Sequence, residues 1–183
     1  MATLLWLQTG ACSGDTMSLL NADSPSIESL MRKGSIELLW HPSLSDTPPG
    51  GLGKLIAAIE AGTQALDILC VEGSLITGPF GTGMFDSYRG RPKIQIAEAL
   101  ARRARYVVAV GTCSAFGGIP AAPPNPTDCT GLQFDHEQPG GLLPPEWRSG
   151  AGLPVINLAG CPTHPTTITR SLAMLAQDLP LEL

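Results

Sequence analysis

The sequence predicts a single α/β domain built on a doubly wound parallel sheet. Five short runs of mainly apolar residues are separated by segments in which apolar side chains recur at helical spacing. Buried parallel strands read as such runs, because helices cover both faces of their sheet. Connections between parallel strands are right-handed almost without exception, so a flavodoxin-like fold is the expected topology. A chain of 183 residues is long enough for one domain of this kind.

The predicted strands and helices alternate along the chain, as a doubly wound sheet requires. Strands are expected at residues 4–7, 36–40, 66–71, 106–110 and 153–158. Helices are expected near residues 17–20, 26–32, 52–61, 91–104 and 165–177. Asp15 or Thr16 is expected to cap the first helix. Residues 78–90 and 117–152 are rich in glycine or proline and lack periodicity, so both are predicted to be loops without elements of their own.

Three of the predicted strands end in a glycine-punctuated turn that contains a cysteine. Cys12 follows the first strand, Cys113 the fourth and Cys161 the fifth, and Asp15 lies three residues after Cys12. The carboxyl ends of parallel strands meet at one edge of the sheet, where open α/β sheets bind their ligands. Thiolates hold iron–sulfur clusters, and glycine lets the backbone approach a bulky group closely. The sequence therefore predicts an iron–sulfur site at the carboxyl edge, with these four residues as ligands.

Asp15 is the unusual member of this set, because a second cysteine is the commonest residue at its position in a two-ligand turn. Oxygen is a harder ligand than sulfur and binds cluster iron less tightly. A carboxylate ligand is expected to give either a four-iron cluster with one weak corner or a three-iron cluster. Capping of the following helix is the alternative role, and both remain open from the sequence.

The other two cysteines are predicted not to be ligands. Cys70 lies inside an apolar run and is expected to be a core residue, and Cys129 lies in the proline-rich loop. Five widely spread cysteines make a poor disulfide framework and suit metal binding in a reducing compartment. Together with the lack of a signal peptide or a long apolar run, this composition predicts a cytoplasmic location.

Four other polar residues have candidate roles beside the site or outside it. His164 is expected to donate a hydrogen bond to a cluster sulfide. Glu72 ends the third strand at the same edge, where its carboxylate would relay protons or hold a backbone turn. His41 and His136 are expected to be surface or loop residues.

Charge and hydropathy limit the partners of the chain. The sequence is 43% hydrophobic and only 15% charged, which indicates either a face covered by a partner subunit or a compact core that needs few charges. The net charge is −5 and no basic stripe is present, so nucleic acid is not an expected partner.

Taken in order, the turns resemble those of the small subunit of a [NiFe] hydrogenase. The matching segments are Cys12-Ser13-Gly14-Asp15, Val71-Glu72-Gly73-Ser74, Gly111-Thr112-Cys113 with Gly117-Gly118, and Gly160-Cys161-Pro162. The resemblance implies an electron-transfer subunit of an uptake hydrogenase. Such a subunit accepts electrons from hydrogen oxidation through one proximal cluster, [4Fe-4S] or [3Fe-4S].

The same resemblance implies a set of partners. The nickel–iron centre would lie on a separate large subunit, and the pair would form a higher oligomer of heterodimers. The electron acceptor would be a quinone or a carrier protein, which could bring the complex to a membrane.

The chain departs from the family pattern in two ways. Asp15 replaces the second cysteine, and a subset of the family associated with oxidising hydrogen in air is similar in this respect. Residues 1–183 would form the flavodoxin-like proximal-cluster domain, with the domain for medial and distal clusters absent or truncated. The sequence ends just past a predicted helix, at 178–183, which favours a fragment of a longer subunit.

Three other functions are compatible with parts of the pattern. The cluster subunit of a complex I-like oxidoreductase resembles this domain but has a tandem Cys-Cys where this chain has Cys12-Ser13. A hydrogen-sensing regulatory subunit would be built from the same residues. A flavin-binding flavodoxin lacks support, because the first turn offers only Thr9, Ser13 and Thr16 as a phosphate cradle.

Overall fold

A computed structural model describes residues 1–48 and 50–180 and contains eleven strands and seven helices within them. In chain order the strands are β1 (Ala2–Gln8), β2 (Ile36–Trp40), β3 (Ile68–Glu72), β4 (Leu75–Ile76), β5 (Ser87–Tyr88), β6 (Arg91–Pro92), β7 (Tyr106–Val110), β8 (Cys129–Thr130), β9 (Phe134–Asp135), β10 (Gln138–Pro139) and β11 (Ile156–Leu158). The helices are α1 (Gly14–Leu20), α2 (Ile27–Arg32), α3 (Gly51–Ala61), α4 (Lys93–Ala101), α5 (Thr112–Phe116), α6 (Gly118–Ala121) and α7 (Pro165–Leu175).

Five parallel strands form the central sheet, in the order β11-β7-β3-β1-β2. Numbered along the chain, these five strands have the order 2-1-3-4-5, which is that of flavodoxin-like folds. The predicted fold class is therefore confirmed. The chain changes direction across the sheet after β2, so the switch point lies between β1 and β3.

Alternate side chains of the strands enter two separate cores, one on each face of the sheet. Leu5 and Leu7 of β1 pack on the face covered by α3 and α4, whereas Leu4 and Trp6 pack on the face covered by α1, α2 and α7. Every residue of β3 is buried, as expected for a strand at the centre of a doubly wound sheet. Helices therefore cover both faces of the sheet, and the common direction of its parallel strands sets where the carboxyl edge lies.

Both segments predicted as featureless loops contain short elements, so those predictions are wrong. Residues 117–152 include α6 and the short strands β8, β9 and β10, and residues 78–90 include β5. These strands have two residues each, too few to give a periodic pattern in the sequence. In addition, Arg91 and Pro92 pair with β5 as β6 instead of beginning the helix that was predicted at 91–104.

The last strand of the sheet is also shorter than predicted. Residues 153–155 precede β11, and Val155 N–H donates to the side-chain oxygen Oε1 of Gln133 at 2.8 Å rather than to a neighbouring strand. The Nε2 group of Gln133 bonds three backbone carbonyls in the segment 144–147. A single buried glutamine therefore holds the long connection against the end of the sheet.

The predicted chain ending at 178–183 lies partly outside the described residues, which stop at 180. Within the described part of the chain, no helix is long and apolar enough to cross a membrane.

Candidate metal centre

The three cysteine turns lie together at the carboxyl edge of the sheet. Cys12 follows β1, Cys113 lies in the first turn of α5 directly after β7, and Cys161 follows β11. The last two turns are bonded to each other: Thr112 N–H donates to the carbonyl of Gly160 at 2.8 Å, and Gly160 N–H donates to the hydroxyl of Thr112 at 3.1 Å. The residues beside Cys113 and Cys161 are thus held by direct hydrogen bonds.

Glycines leave room for the sulfur atoms. A Cβ atom at Gly14 would lie 3.3 Å from Cys12 Sγ and 3.8 Å from Cβ of Pro162, so Gly14 adjoins both the Cys12 sulfur and the Cys161 turn. A Cβ atom at Gly118, where φ is +60°, would lie 2.8 Å from Cys113 Sγ. Any larger residue at Gly118 would push against this sulfur, which explains the need for glycine there.

The Cys12 and Cys161 thiols lie close enough to Cys113 to affect its ionisation. Burial raises the pKa of the Cys113 thiol, and the neighbouring Cys161 and Cys12 thiols raise it further. The Ser74 side chain and the Ile119 backbone N–H lower the pKa of Cys113, because polar donors near the sulfur favour the thiolate. Cys12 and Cys161 are exposed and Cys113 is half-buried, so all three sulfurs line a site open to solvent or to a partner.

Asp15 lies between the turns of the other two cysteines. Its Oδ1 atom accepts a hydrogen bond from Thr163 N–H at 2.7 Å, and its carboxylate packs directly against Gly111. Thr163 lies two residues after Cys161, and Gly111 lies two residues before Cys113. Burial raises the pKa of Asp15, and the nearby Glu72 carboxylate adds to this effect, while the bond from Thr163 lowers it.

The predicted cap of the first helix by Asp15 or Thr16 is wrong. Helix α1 begins at Gly14, with Ser13 in the cap position at φ +66°, so Asp15 and Thr16 lie inside its first turn. The Asp15 side chain bonds a turn that is 148 residues away in the sequence instead of its own helix. Its observed structural role is to fasten α1 to the Cys161 turn.

Glu72 supplies the acceptor that α1 lacks. Its Oε1 accepts from Thr16 N–H at 3.0 Å, and its Oε2 accepts from the Thr16 hydroxyl at 2.5 Å and from Trp6 Nε1 at 2.9 Å. Glu72 is 1% exposed, so these donors replace its lost hydration. Two roles were predicted for the Glu72 carboxylate. The bond from Thr16 N–H shows that it holds the backbone, and the role as a proton relay remains a prediction.

We expect Glu72→Gln to lower the free energy of unfolding by about 2–3 kcal/mol, because hydrogen bonds to a charged acceptor contribute about 1.5–3 kcal/mol each. Whichever end the amide nitrogen occupies, it faces a donor: Thr16 N–H at one end or Trp6 Nε1–H at the other. Urea unfolding measures the loss, with the exposed Glu37→Gln as control. A loss equal to that of the control would show that the carboxylate charge is unimportant here.

His41 lies in the loop after β2, one of the two places predicted for it, but it is 1% exposed and therefore not a surface residue. Its ring centroid lies 5.2 Å from that of Trp6, and its Nδ1 accepts from Ser43 N–H at 3.0 Å. The neutral ring therefore carries its proton on Nε2, which is buried without a hydrogen-bond partner among the described residues. Burial lowers the pKa of His41 to about 4, although the Glu72 carboxylate acts in the opposite direction.

This lowered pKa predicts a loss of stability in mild acid. The unfolded chain binds a proton at His41 below about pH 6.5, whereas the folded chain does so only near pH 4. Stability is therefore complete above pH 6.5 and falls by about 1.4 kcal/mol per pH unit as the pH drops towards 4. The raised pKa of Asp15 has the opposite effect on stability. As the pH falls, the folded state binds the Asp15 proton more tightly than the unfolded chain does, which favours the folded state.

Urea unfolding at pH 7.5 and 5.5 measures the effect of His41. His41→Asn keeps an acceptor for Ser43 N–H but does not titrate, so its stability should change less between the two pH values than that of the parent. His136→Asn is the matched control, because His136 is exposed. If the stability of His41→Asn and that of the parent depended equally on pH, His41 would not be the cause of the loss of stability in mild acid.

The remaining candidates are Cys70, Cys129, His136 and His164. Cys70 is fully buried in β3, and burial strongly raises its pKa, in keeping with a core thiol. Cys129 is buried in β8, with its sulfur 3.1 Å from the Thr127 hydroxyl. His136 is exposed between β9 and β10. His164 is exposed at the start of α7, three residues after Cys161, and its predicted bond to a sulfide stays a prediction.

The sequence analysis missed Ser74, which connects the Cys12 turn to the segment after Cys113. Ser74 is completely buried, and its hydroxyl donates to the carbonyl of Gly117 at 2.7 Å. Its backbone pairs with Gly10 in the Cys12 turn. The only signal in the sequence is its position just after Glu72-Gly73, at the end of the strand that lies between the cysteine-bearing strands.

The donor set fits a polynuclear iron–sulfur group. Three thiols and a carboxylate lie on turns whose glycines keep the space around two of the sulfurs free of side chains. No three His, Cys, Asp and Glu side chains of the described ranges 1–48 and 50–180 are grouped so as to hold a single metal ion. The residues that would hold a cluster are Cys12, Cys113 and Cys161, with Asp15 beside them.

Comparison with known proteins gives consistent similarities. Residues 12–175 match the family described as NADH ubiquinone oxidoreductase, 20 Kd subunit. The chain is 31% identical to the F420 non-reducing hydrogenase II small subunit of Methanosarcina mazei, over 92% of this chain and 47% of that protein. It is also 31% identical to the hydrogenase-2 small chain of Escherichia coli K12, over 93% of this chain and 41% of that one.

Solved structures show the same relationship. An actinobacterial-type NiFe-hydrogenase from Ralstonia eutropha H16 superimposes with a TM-score of 0.82 and 29% identity, over 98% of this chain and 55% of the other. The NiFeSe hydrogenase of Desulfomicrobium baculatum gives a TM-score of 0.72 at 26% identity, over 98% of this chain and 66% of the other. The chain spans about half the length of the curated relatives it matches.

Proposed function

Because this chain belongs to the NADH ubiquinone oxidoreductase 20 Kd subunit family, and the relatives described above are hydrogenase small subunits, we propose that it is the electron-transfer small subunit of a [NiFe] uptake hydrogenase. It would accept electrons from hydrogen oxidation on a separate large subunit. The observation that carries the proposal is the placement of Cys12, Cys113 and Cys161 on three hydrogen-bonded turns at one edge of the sheet.

The proposed cofactor is one iron–sulfur cluster, [4Fe-4S] or [3Fe-4S], which when bound takes up and releases electrons one at a time. Cys12, Cys113 and Cys161 would supply thiolates, and Asp15 an oxygen ligand or a negative charge beside the group. To ligate iron, Asp15 must be deprotonated despite the burial that raises its pKa, and the bond from Thr163 N–H favours that form. His164, if it turns towards the site, would donate an N–H to a sulfide.

The surface near this edge supports a large partner. Phe80 is 98% exposed and Ile119 is 78% exposed, and the large side chains of Met84 and Phe85 are about half exposed. Single exposed apolar residues are ordinary, but Phe80, Met84 and Phe85 follow one another closely in one loop, and Ile119 follows the Cys113 turn. We assign this surface and the segment 117–152 to contact with the large subunit that would hold the nickel–iron centre.

The wider assembly is proposed on the same basis. Residues 1–183 would be the proximal-cluster domain, with any medial and distal clusters in a part that this sequence does not contain. Heterodimers would associate further and pass electrons to a quinone or a carrier protein. None of the five cysteines is paired in a disulfide, which supports a cytoplasmic location, although three relatives are named periplasmic hydrogenases.

Hydrogen-dependent dye reduction by the purified complex tests the proposal. The chain is produced together with its large subunit and supplied with hydrogen and an artificial electron acceptor. Sustained turnover is the expected result. A complex that binds hydrogen without sustained turnover would be a hydrogen sensor and would overturn the uptake function.

The family description favours one further candidate, a cluster subunit of a complex I-like oxidoreductase. Cys12 is followed by Ser13 rather than by a second cysteine, which speaks against it. A complex that reduces quinone from a nicotinamide donor and ignores hydrogen would support this alternative and overturn the hydrogenase proposal.

A further inference from the structure

Strand β11 is the outermost strand on one side of the central sheet. The carbonyl of Leu158 accepts from Gly111 N–H, directly after β7, at 2.9 Å, so Leu158 faces β7. Successive residues of a strand direct their backbone groups to opposite sides, and the N–H and C=O of Asn157 therefore point away from the sheet. Within residues 1–48 and 50–180, no hydrogen bond closes this outer side at Asn157. Two residues earlier a side chain does so, because Gln133 Oε1 accepts from Val155 N–H at 2.8 Å.

The outer side of β11 is the floor of a mainly apolar groove with a volume of about 780 Å³, which we call the β11 groove. One wall comes from the segment 117–152, and the other from the end of α7 and the residues after it. The wall residues include Phe134, Pro139 and Pro145 on the first side and Leu175, Leu179 and Pro180 on the second. Unpaired backbone groups between two apolar walls are the features that an added strand requires.

The opposite side of the sheet is protected against such an addition. Strand β2 is outermost there, it carries the exposed Glu37, and its pairing with β1 shifts in register between Leu4 and Leu5. Charges and bulges are common protections of outermost strands. By contrast, residues 153–159 contain no charged side chain, and β11 pairs with β7 in regular register. This difference indicates that another polypeptide covers β11 in the assembled protein.

The course of the groove indicates which polypeptide this is. Phe134 lines both the β11 groove and a second cavity of about 410 Å³, which Thr112 and Gly118 also line. Thr112 precedes Cys113, and Gly118 lies against the sulfur of Cys113. The groove is therefore continuous with the surface proposed for the large subunit, and its first wall belongs to the same segment 117–152. A second copy of this chain fits less well, because its own β11 lies at the bottom of the same groove.

We infer that an extended segment of the large subunit adds to β11 as a sixth strand, with its backbone bonded to Asn157 and its side chains in the β11 groove. The inference rests on the proposed function, because it needs that large subunit. In an added strand, backbone hydrogen bonds supply affinity and the pockets for alternate side chains supply specificity. Because both walls are mainly apolar, the added strand has apolar side chains on both of its faces.

Hydrogen–deuterium exchange, measured on peptides that span 155–159, tests the added strand. The Asn157 amide should exchange at least about tenfold more slowly in the complex with the large subunit than in this chain alone, because it gains an acceptor. The Leu38 amide is the control: by the same alternation it lies on the outer side of β2, and its rate should be equal in both samples.

The other outcomes of the exchange experiment each have one meaning. An unprotected Asn157 amide in an assembled, active complex would overturn the inference and leave the proposed function intact. Protection that grows with the concentration of this chain alone would identify a second copy as the occupant, and would also overturn it. A chain that forms no complex with a large subunit would overturn the proposed function itself, so the two failures are distinguishable.

Substitutions in the groove give a second readout. Leu153→Asp and Leu179→Asp each place a charge where the added strand would bury it, so each should raise the Kd for the purified large subunit at least about tenfold. Leu20→Asp is the matched control, because Leu20 is 42% exposed, against 43% for Leu153 and 49% for Leu179, and lies in α1 outside the groove. Equal Kd values for all three variants and the parent would overturn the inference.

Two variants of Asn157 test the backbone hydrogen bond itself. Proline is tolerated in an outermost strand where the N–H would face outwards, so Asn157→Pro removes only the outward donor, whereas Asn157→Ala keeps it. The proline variant should have a Kd about 2–10-fold higher than the alanine variant, as expected for the loss of one hydrogen bond. Equal Kd values for the two variants would show that no strand pairs with Asn157. If the proline variant does not fold, the exchange rates and the leucine variants decide.

Discussion

Replacing Cys113 with serine is expected to remove the cluster iron and abolish hydrogen-dependent dye reduction. Cys113 is the central thiol of the site: it is half-buried, and its pKa is raised by burial and by the nearby Cys161 and Cys12 thiols. Loss of outer partners of a metal ligand already costs about 10–100-fold in affinity or activity, so loss of a ligand should exceed about 100-fold. Iron and sulfide analysis together with the dye assay measures both effects.

Cys129→Ser is the matched control for this prediction. Cys129 is also a free thiol, but it lies in the short β4–β8 ladder, with its sulfur beside the hydroxyl of Thr127. The control should keep the iron content and activity of the parent. Cys12→Ser and Cys161→Ser should behave like Cys113→Ser. Full iron content in all three of these variants would end the proposal that they hold a cluster.

The second large effect is expected at Asp15, where two variants separate its roles. Asp15→Asn keeps an oxygen that can accept from Thr163 N–H but removes the charged oxygen ligand. Asp15→Cys removes the Thr163 acceptor and supplies a fourth thiolate. If Asp15 ligates iron, Asp15→Asn should hold a three-iron cluster and Asp15→Cys a four-iron cluster, so the two variants differ in iron count, reduction potential and response to oxygen.

Comparison of the two Asp15 variants also separates ligation of iron from the structural role of Asp15, which is to fasten α1 to the Cys161 turn. The structural role predicts the opposite pattern, in which Asp15→Asn behaves like the parent. It also predicts that Asp15→Cys loses stability because α1 is no longer fastened to the Cys161 turn. Equal iron count, potential and oxygen response in the parent and both variants would show that Asp15 does not set the type of cluster.

The sequence was sufficient to predict the sheet and the edge at which the three cysteine turns lie, because both depend on local patterns. The apolar run 106–110 identifies β7, and the glycines beside Cys113 mark the turn that follows. The resemblance to hydrogenase small subunits, which rested on four ordered motifs, is confirmed by the relatives found. The ligand set itself remains a prediction.

What the sequence could not predict are contacts between residues far apart in the chain. Asp15 bonds Thr163 across 148 residues, and Glu72 bonds Trp6 across 66 residues. No local pattern distinguishes such an aspartate from a helix cap, since both roles place it near the start of a helix. His41 is a comparable case: it follows an edge strand, and only the packing of its ring against Trp6 makes it buried.

The measurement that tests the central claim most directly is an electron paramagnetic resonance spectrum of the purified complex, combined with counts of iron and acid-labile sulfide. The account predicts the signal of one three-iron or four-iron cluster at this site, with matching sulfide, that changes when hydrogen is supplied. A complex that contains no sulfide, or whose cluster signal is identical in the parent and in Cys113→Ser, would contradict it.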